Sequence, residues 1–367
     1  MVVRGHVDPQ AALFTTVSPE KRVPKDHPIR TIKDLADEQL LELSTVFREM
    51  YASSGRCSIP PERLLKAQLL IALYSVRSER QFCERLDYDL LFRFFLDMNL
   101  DDESWDASTF AKNRDRLMKH DVARLFFEGV VRRAKGLDLI SREHFTVDGT
   151  LIEAWASMKS FRRKGEKPKE PPDDPGNPTV NFRGEKRSNK THESTTDPEA
   201  KLARKGDGKE SKLAYSAHVL MENRNGLCVD IRVAQANGFA EREEALAMTR
   251  RLRRRGFDPK TLAGDKGYDK SSFPDDIVDL GIEPHIAVNA HGSKTSAARR
   301  FANSAAYAMS QRVRKKVEEI FGWMKTVGGF RRTRFKGQER TATWGFIVAA
   351  AHNLLRISRM VVSEAAV

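Results

Sequence analysis

The sequence predicts an α/β fold: a mixed sheet with flanking helices, preceded by an all-α N-terminal domain. Three observations predict it. Up to about residue 140 apolar residues recur at helical spacing, and from residue 141 short β-branched runs alternate with helical ones. Between two of those runs stands Asn225-Gly226, the strongest short hairpin signal in the chain, because both residues tolerate positive φ. The length of 367 residues allows about two domains. We place them at 1–140, helical, and 141–360, built on the sheet.

In the helical part, IKDLADEQLLELSTVFREMY puts Leu35, Leu40, Leu41, Leu43 and Val46 on one side. Pro60 and Pro61 start the next helix, PERLLKAQLLIALYSV, since a missing amide proton costs little at the first positions. SERQFCERLDYDLLFRFFLDM is a third periodic segment, rich in Phe. DASTFAKNRDRLMKH is the fourth, with Ser108 or Thr109 as its cap. Lys112, Arg114 and Arg116 fall in its first turns, where a recognition helix contacts DNA. The plain alternative is a packing or dimerisation module with basic helices on its surface.

The second part opens with REHFTVDG as a strand. YSAHVLMEN and LCVDIRVAQAN follow as the hairpin, then the helix AEREEALAMTRRLRRRG, acidic at its start, basic at its end and closed by Gly256. The run Arg250, Arg251, Arg253, Arg254 and Arg255 is explained by dipole complementarity alone. TLAGD is a strand, SSFPDDIVDLG a short helix and EPHIAV a strand. SQRVRKKVEEIFGWMKTVGG is one long helix closed by Gly328. Three strands with an antiparallel hairpin, then helix, strand, helix, strand, helix, is the order of a ribonuclease H-like sheet. Between the first strand and the hairpin, roughly residues 158–212 are rich in charge, Pro and Gly, too poor in apolar surface to offset ordering entropy. They read as a mobile basic loop whose Arg162, Arg163, Lys164, Arg183, Lys186 and Arg187 order on DNA, or as a tolerated insertion.

Composition narrows the partners. Lys and Arg number 64 against 51 Asp and Glu, a net charge of +13 that favours a polyanion through phosphate contacts and counterion release. Cys57, Cys83 and Cys228 lack CxxC spacing and are expected to be buried free thiols. The N-terminal stretch lacks an apolar signal core, and no segment is expected to approach bilayer-spanning length. A reducing cytoplasm, with no membrane partner, is the expected compartment.

Three carboxylates carry the chemistry. Asp148 and Asp265 each close a strand-like run, and Glu318 lies on the last long helix, where Arg314, Glu318 and Lys325 share one face beside the apolar stripe Val317, Ile320, Phe321 and Met324. Glu319 is rotated about 100° away. Hard cations such as Mg²⁺ take carboxylate oxygens, and two ions about 4 Å apart activate an attacking oxygen and stabilise the leaving one. Arg314 and Lys325 suit phosphate holding. Individually each residue has a dull explanation: a turn or cap for the aspartates, an i,i+4 ion pair for Arg314 and Glu318. In FRRTRFKG, Arg331, Arg332, Arg334 and Lys336 stand between aromatics, a composition suited to nucleic-acid backbone contact, with a solvated basic turn as the alternative. Trp155 and Trp323 read as packing residues, and His144 and His218 as ordinary strand residues.

FTVDGTLIEAWAS, LAGDKGYD, the R-x3-E-x6-K arrangement from Arg314 through Glu318 to Lys325, ENRNGL and the final AAHNLLR resemble the bacterial DDE transposases of the insertion-sequence-five family, over nearly the whole chain. The resemblance implies a ribonuclease H-like catalytic domain with Asp148, Asp265 and Glu318 as catalytic metal ligands for Mg²⁺, or Mn²⁺ in its place. It implies cleavage of double-stranded DNA at terminal inverted repeats, strand transfer of the 3′-hydroxyl to target DNA, and a homodimer or higher assembly on paired ends at the bacterial nucleoid. One position departs from the pattern. Gln311 stands where relatives often carry a phosphate-contacting Tyr, and Tyr307 lies one turn earlier. The same residues also admit a ribonuclease H-like nuclease without strand transfer, or a non-catalytic DNA-binding protein of a decayed mobile element.

Overall fold

The computed structural model describes residues 17–50, 58–165, 187–206, 208–237, 240–270, 272–290 and 295–365. Among them eight helices precede the first strand: α1 (Pro19–Arg22), α2 (Pro28–Glu42), α3 (Ser44–Met50), α4 (Pro61–Leu73), α5 (Glu79–Leu86), α6 (Leu90–Phe95), α7 (Ala107–Lys119) and α8 (Val122–Gly136). The periodic runs hold as helices but are cut shorter than expected. Leu43, whose N–H bonds the carbonyls of Leu40 and Leu41, ends α2, so Phe47 and Met50 of α3 turn into the core. Leu41 leaves the expected buried side and is 75% exposed, since it lies one 100° step from buried Leu40. Asp89 splits the Phe-rich segment by accepting the Phe92 N–H at 3.1 Å, capping α6. The cap of α7 is Asp106 rather than Ser108 or Thr109; its Oδ1 accepts the N–H groups of both.

The second part runs β1 (His144–Glu153), a 3-10 turn (Met158–Ser160), β2 (Phe161–Arg163), β3 (His192–Ser194), β4 (Lys201–Ala203), β5 (Lys212–Glu222), β6 (Leu227–Gln235), α9 (Ala240–Arg254), β7 (Thr261–Gly264), α10 (Phe273–Asp279), β8 (Glu283–Ile286), α11 (Ala297–Phe301), α12 (Ala305–Val313), a 3-10 turn (Arg314–Lys316), α13 (Val317–Thr326) and α14 (Gln338–Ala365). The sheet order is β4-β5-β1-β7-β8, with β6 also on β5. β1, β5 and β6 pair antiparallel, whereas β7 and β8 add parallel to the other edge of β1. A meander whose first strand is central, extended by two parallel strands reached through helices, is the ribonuclease H-like arrangement. The β5–β6 turn is wider than the expected two residues: Glu222 pairs with Leu227, and Gly226 rather than Asn225 takes positive φ, at +66°. The Glu222 carboxylate accepts the N–H groups of Arg224 and Asn225 and so holds the turn.

Part of the segment expected as a mobile loop is built into the fold. β2 pairs with β3 and β4 with β5, and the Tyr215 hydroxyl donates to Asp197 at 2.8 and 2.9 Å in a buried polar network with Ser194. Hydrogen bonds of this kind order a chain without any apolar periodicity to announce it. Arg183 and Lys186 lie outside the described residues, as does Cys57; Cys83 and Cys228 are buried free thiols.

Four helices, the short α1 and α11 and the longer α8 and α14, lie outside the expected set. α8 carries Gly129, Val130 and Val131, weak helix formers, and is made helical by burial against α14. Residues Gln338–Val362 of α14 are apolar and long enough to cross a membrane by length and composition, which corrects the expectation that no stretch approaches that length. Here α14 packs on β6, α8, α4 and α2, and one continuous buried cluster joins the helical part to the sheet. Its Asn353 side chain acts as a strand neighbour to the Cys228 peptide, accepting the N–H at 2.9 Å and donating to the carbonyl at 2.7 Å. That contact accounts for the asparagine in AAHNLLR. Asn353→Ala strands two buried backbone groups and should cost about 2–4 kcal/mol, read as a shift of the denaturant midpoint; an unmoved midpoint would show that the contact is replaceable.

Candidate active site

β1 has partners on both edges only as far as Thr146, because β7 pairs with His144–Thr146 and then ends at Gly264. Beyond that point a cleft opens at the carboxyl end of the parallel pair, where ligands sit in sheets of this kind. Asp148 lies on β1 two residues past its last β7 partner, and Asp265 is the first residue after β7. Glu318 enters from the first turn of α13. These three line a cleft of about 820 Å³ together with Glu241, Lys325 and Arg331.

Local sequence explains the placement of Asp265. In LAGDKGYD a side chain at Gly264 would meet Ile286 at 2.9 Å and Tyr268 at 3.1 Å, so glycine lets both side chains pack against the strand end just before the turn. Asp265 Oδ1 accepts the Gly267 N–H at 2.7 Å, and buried Asp269 accepts from Ser296 Oγ and the Asn289 N–H, tying the turn to the loop after β8. Asp148 is held differently: its Oδ1 accepts the Gly149 N–H at 2.7 Å. Burial pushes the Asp148 carboxyl up to about 6, reinforced by the charges of Asp265 and Glu241 and opposed by that N–H and Arg314.

Glu318 and Glu319 part as the helix phase predicts, Glu318 into the cleft and Glu319 outward to Arg356 at 3.8 Å. The single long helix does not hold. The 3-10 turn at Arg314–Lys316 divides it, so Arg314 does not line the cleft beside Glu318 and Lys325. Its Nε donates to Gln311 Oε1 at 3.3 Å, and Gln311 in turn donates to the His285 carbonyl at 2.5 Å. Gln311 therefore anchors α12 to β8 and steadies Arg314, and Tyr307 packs edge-on against His285. Lys325 donates to Thr150 Oγ1 at 2.5 Å. Burial, with Lys205 and Arg331 nearby, lowers its ammonium below the ordinary lysine range.

The other basic candidates do not converge. Residues 112, 114 and 116 advance 200° per step, so Lys112 and Arg116 face outward while Arg114 turns in, bonded to Glu79 and Asp115 over the Phe335 ring. Arg331 lines the carboxylate cleft and Arg332 donates to the Trp155 carbonyl. Arg334 is half-buried on Trp344 and donates to the Val76 carbonyl; Lys336 stands over Trp155. In the arginine run of α9, Arg251 pairs with buried Asp230 and Arg255 donates to the Val229 carbonyl, a structural use. His144 bonds Thr261 and Ser310.

Glu241 is the site residue that sequence reasoning missed. The acidic start of α9 reads as dipole complementarity, and only the fold shows that this helix begins beside the end of β1. Gly149 has no side chain to stop it: a Cβ there would stand 3.4 Å from Glu241 Oε1 and 3.0 Å from His218 Nδ1. His218 is fully buried with neither ring nitrogen partnered, and burial lowers it to about 4, keeping it neutral. The donor set, the carboxylates of Asp148, Asp265, Glu318 and Glu241 lining one cleft with Asp148 half-buried and in no ion pair with a basic side chain, suits a hard divalent cation. Among the described residues, however, no three His, Cys, Asp or Glu side chains stand within reach of one ion.

A ribonuclease H-like sheet with acidic side chains at the carboxyl end of its central parallel pair, in a chain of net charge +13, defines an enzyme of nucleic-acid chemistry. Two family models match: Transposase domain (DUF772) over residues 17–116 and Transposase DDE domain over residues 181–354. The chain belongs to the DDE transposases, which use divalent metal to cleave DNA and transfer strands. Asp265 and Glu318 fall within the second match, and Asp148 lies between the two. Among solved structures, the piggyBac transposase synaptic complex with hairpin DNA is similar at 10% identity, covering 92% of this chain and 76% of that one with a TM-score of 0.45. The Mos1 transposase paired-end complex with left transposon end is similar at 12% identity, 76% and 83% coverage and a TM-score of 0.21. At such scores the strand order, not superposition, identifies the fold.

Glu241→Gln removes one like charge from the cleft and should lower the Asp148 midpoint below about 6, followed by carboxyl-carbon NMR across a pH titration. An unmoved midpoint would place Glu241 outside the field that Asp148 senses.

Proposed function

We propose that Asp148, Asp265 and Glu318 are the catalytic metal ligands of this transposase, that the ion is Mg²⁺ with Mn²⁺ able to replace it, and that the substrate is double-stranded DNA at terminal inverted repeats of an insertion-sequence-five element. One observation carries the reading: half-buried Asp148, in no ion pair with a basic side chain, shares a cleft with Asp265 and Glu318, while neighbouring Glu319 turns away. Bound divalent metal supplies Lewis-acid activation of the attacking oxygen and stabilisation of the leaving one. The chain's own residues hold and orient. Asp148 and Asp265 are fixed on the sheet by their bonds to the Gly149 and Gly267 N–H groups. Lys325 and Arg331 line the same cleft without a carboxylate partner in it and are suited to the scissile phosphate.

Arg314 acts from behind Asp148 as an electrostatic support. Lys112 and Arg116 on the outer side of α7, with Arg332 and Lys336, extend the DNA contact; Arg114 and Arg334 are committed inward and serve it by positioning. Work on paired ends calls for two or more copies, acting at the nucleoid.

Asp148→Asn should abolish Mg²⁺-dependent cleavage while leaving DNA binding largely intact; unchanged cleavage would sink the assignment. A precleaved end with a free 3′-hydroxyl should be joined to target DNA, and cutting without joining would reduce the activity to that of a nuclease. The pH dependence follows from Asp148. Its carboxyl is protonated below about 6, and only the carboxylate binds a cation, so Mn²⁺ affinity should fall up to about tenfold per pH unit below that point and level off above it. Isothermal titration at several pH values measures this, and Asp148→Asn should flatten the profile.

A further inference from the structure

A second and larger cavity, about 1090 Å³, lies between the helical part and the segment Arg331–Lys336 and shares no lining residue with the carboxylate cleft. The two are nevertheless joined through the backbone. The Glu153 N–H donates to the Arg331 carbonyl at 3.0 Å and the Thr333 N–H to the Glu153 carbonyl at 2.8 Å, so residues 331–333 run as an extra strand beside the end of β1. Side chains alternate along such a strand. Arg331 accordingly lines the carboxylate cleft and Arg332 the second cavity.

Three features of the second cavity point to one ligand chemistry. Trp155 stands on its wall 48% exposed, contrary to the expectation of a packing residue, whereas Trp323 does pack, edge-on against His352. The Lys336 ammonium lies over the Trp155 ring, 5.0 Å from its centroid, and Arg332 donates to the Trp155 carbonyl at 2.7 Å, so a half-exposed indole carries two cations beside it. Deeper in, Trp344 is 4% exposed and its Nε1–H has no acceptor, an unsatisfied donor on the cavity wall. The acidic lining residue, Glu79, is already bonded to Arg114. A half-exposed indole with two cations beside it matches a base and its phosphate, and the buried, unpartnered Trp344 Nε1–H leaves the floor of the cavity polar. A paired base in a duplex hides its face in the stack, so the indole selects an unpaired one.

We propose that this cavity binds an unpaired nucleotide of the DNA strand leaving the carboxylate cleft, with its base on Trp155 and its phosphate between Arg332 and Lys336. The assignment rests on the transposase reading above. Five residues of strand separate Asp148 from Glu153, about 17 Å at strand rise, so the bound nucleotide lies several positions from the scissile phosphate.

The test uses the full chain and two DNAs of one sequence, a fully paired duplex and the same duplex ending in about five unpaired nucleotides that carry 2-aminopurine. The unpaired end should bind at least about fivefold more tightly by anisotropy, with quenching of the 2-aminopurine. Trp155→Ala should erase both the preference and the quenching while duplex affinity holds, and Trp155→Phe should keep most of each. Equal binding of the two DNAs by the unaltered protein would overturn the proposal, as would a preference surviving in Trp155→Ala, or a loss by that variant of both DNAs alike. Asp148→Asn cleavage reads the other cleft, so a failure there is distinguishable from a failure here.

Discussion

The site depends on one interruption in the sheet. β1 is the central strand, yet its β7 edge has strand partners only through Thr146 and is not met again until Arg331 and Thr333 bond Glu153. Backbone groups exposed along such a gap need other partners. Gly149 finds one in the carboxylate of Asp148, so the residue that opens the cleft also satisfies it. The same gap lets β7 turn sharply after Gly264 and deliver Asp265 to the cleft, and its closure by residues 331–333 sets Arg331 in the same cleft as the acidic residues.

The helical part is held to this sheet through α14. That helix packs on β6 on one side and on α8, α4 and α2 on others, and Asn353 fixes it by pairing with the Cys228 peptide. The cavity beneath Trp155 exists because of that docking. Its walls come from α4, α5 and α7 on one side and from the segment before α14 on the other, with Arg334 reaching the Val76 carbonyl across them. A helix long and apolar enough for a bilayer is used here as the shared core of two regions.

Much of this was legible in the sequence, and the failures have a common cause. Asp265 follows a strand end, a local turn that the sequence reports, whereas Asp148, expected to close its strand, lies within β1, which runs on to Glu153 through its pairing with the distant β5. Glu318 was separable from Glu319 because its apolar stripe, Val317, Ile320, Phe321 and Met324, lies wholly within α13 and keeps helical phase. Arg314 precedes that helix on a 3-10 turn with a different rotation per residue, and the one-face argument fails there. Glu241, Trp155 and the order in residues 187–206 were hidden because each depends on a partner distant in sequence: the bare Gly149, the bridge at Arg332, and the Tyr215 hydroxyl for Asp197. α8 was masked by weak local propensity that burial overrides.

The charges in the cleft are left unpaired, and this bears most directly on mechanism. Burial with neighbouring negative charge raises Asp148, and burial with neighbouring positive charge lowers Lys325. Folding for stability alone favours pairing opposite charges that are taken out of water. Here Lys325 bonds the neutral hydroxyl of Thr150, although Asp148 and Glu318 line the same cleft. Carboxylates and an ammonium left unpaired in one cleft complement a cation and a polyanion, each of which relieves the repulsion among the groups it meets.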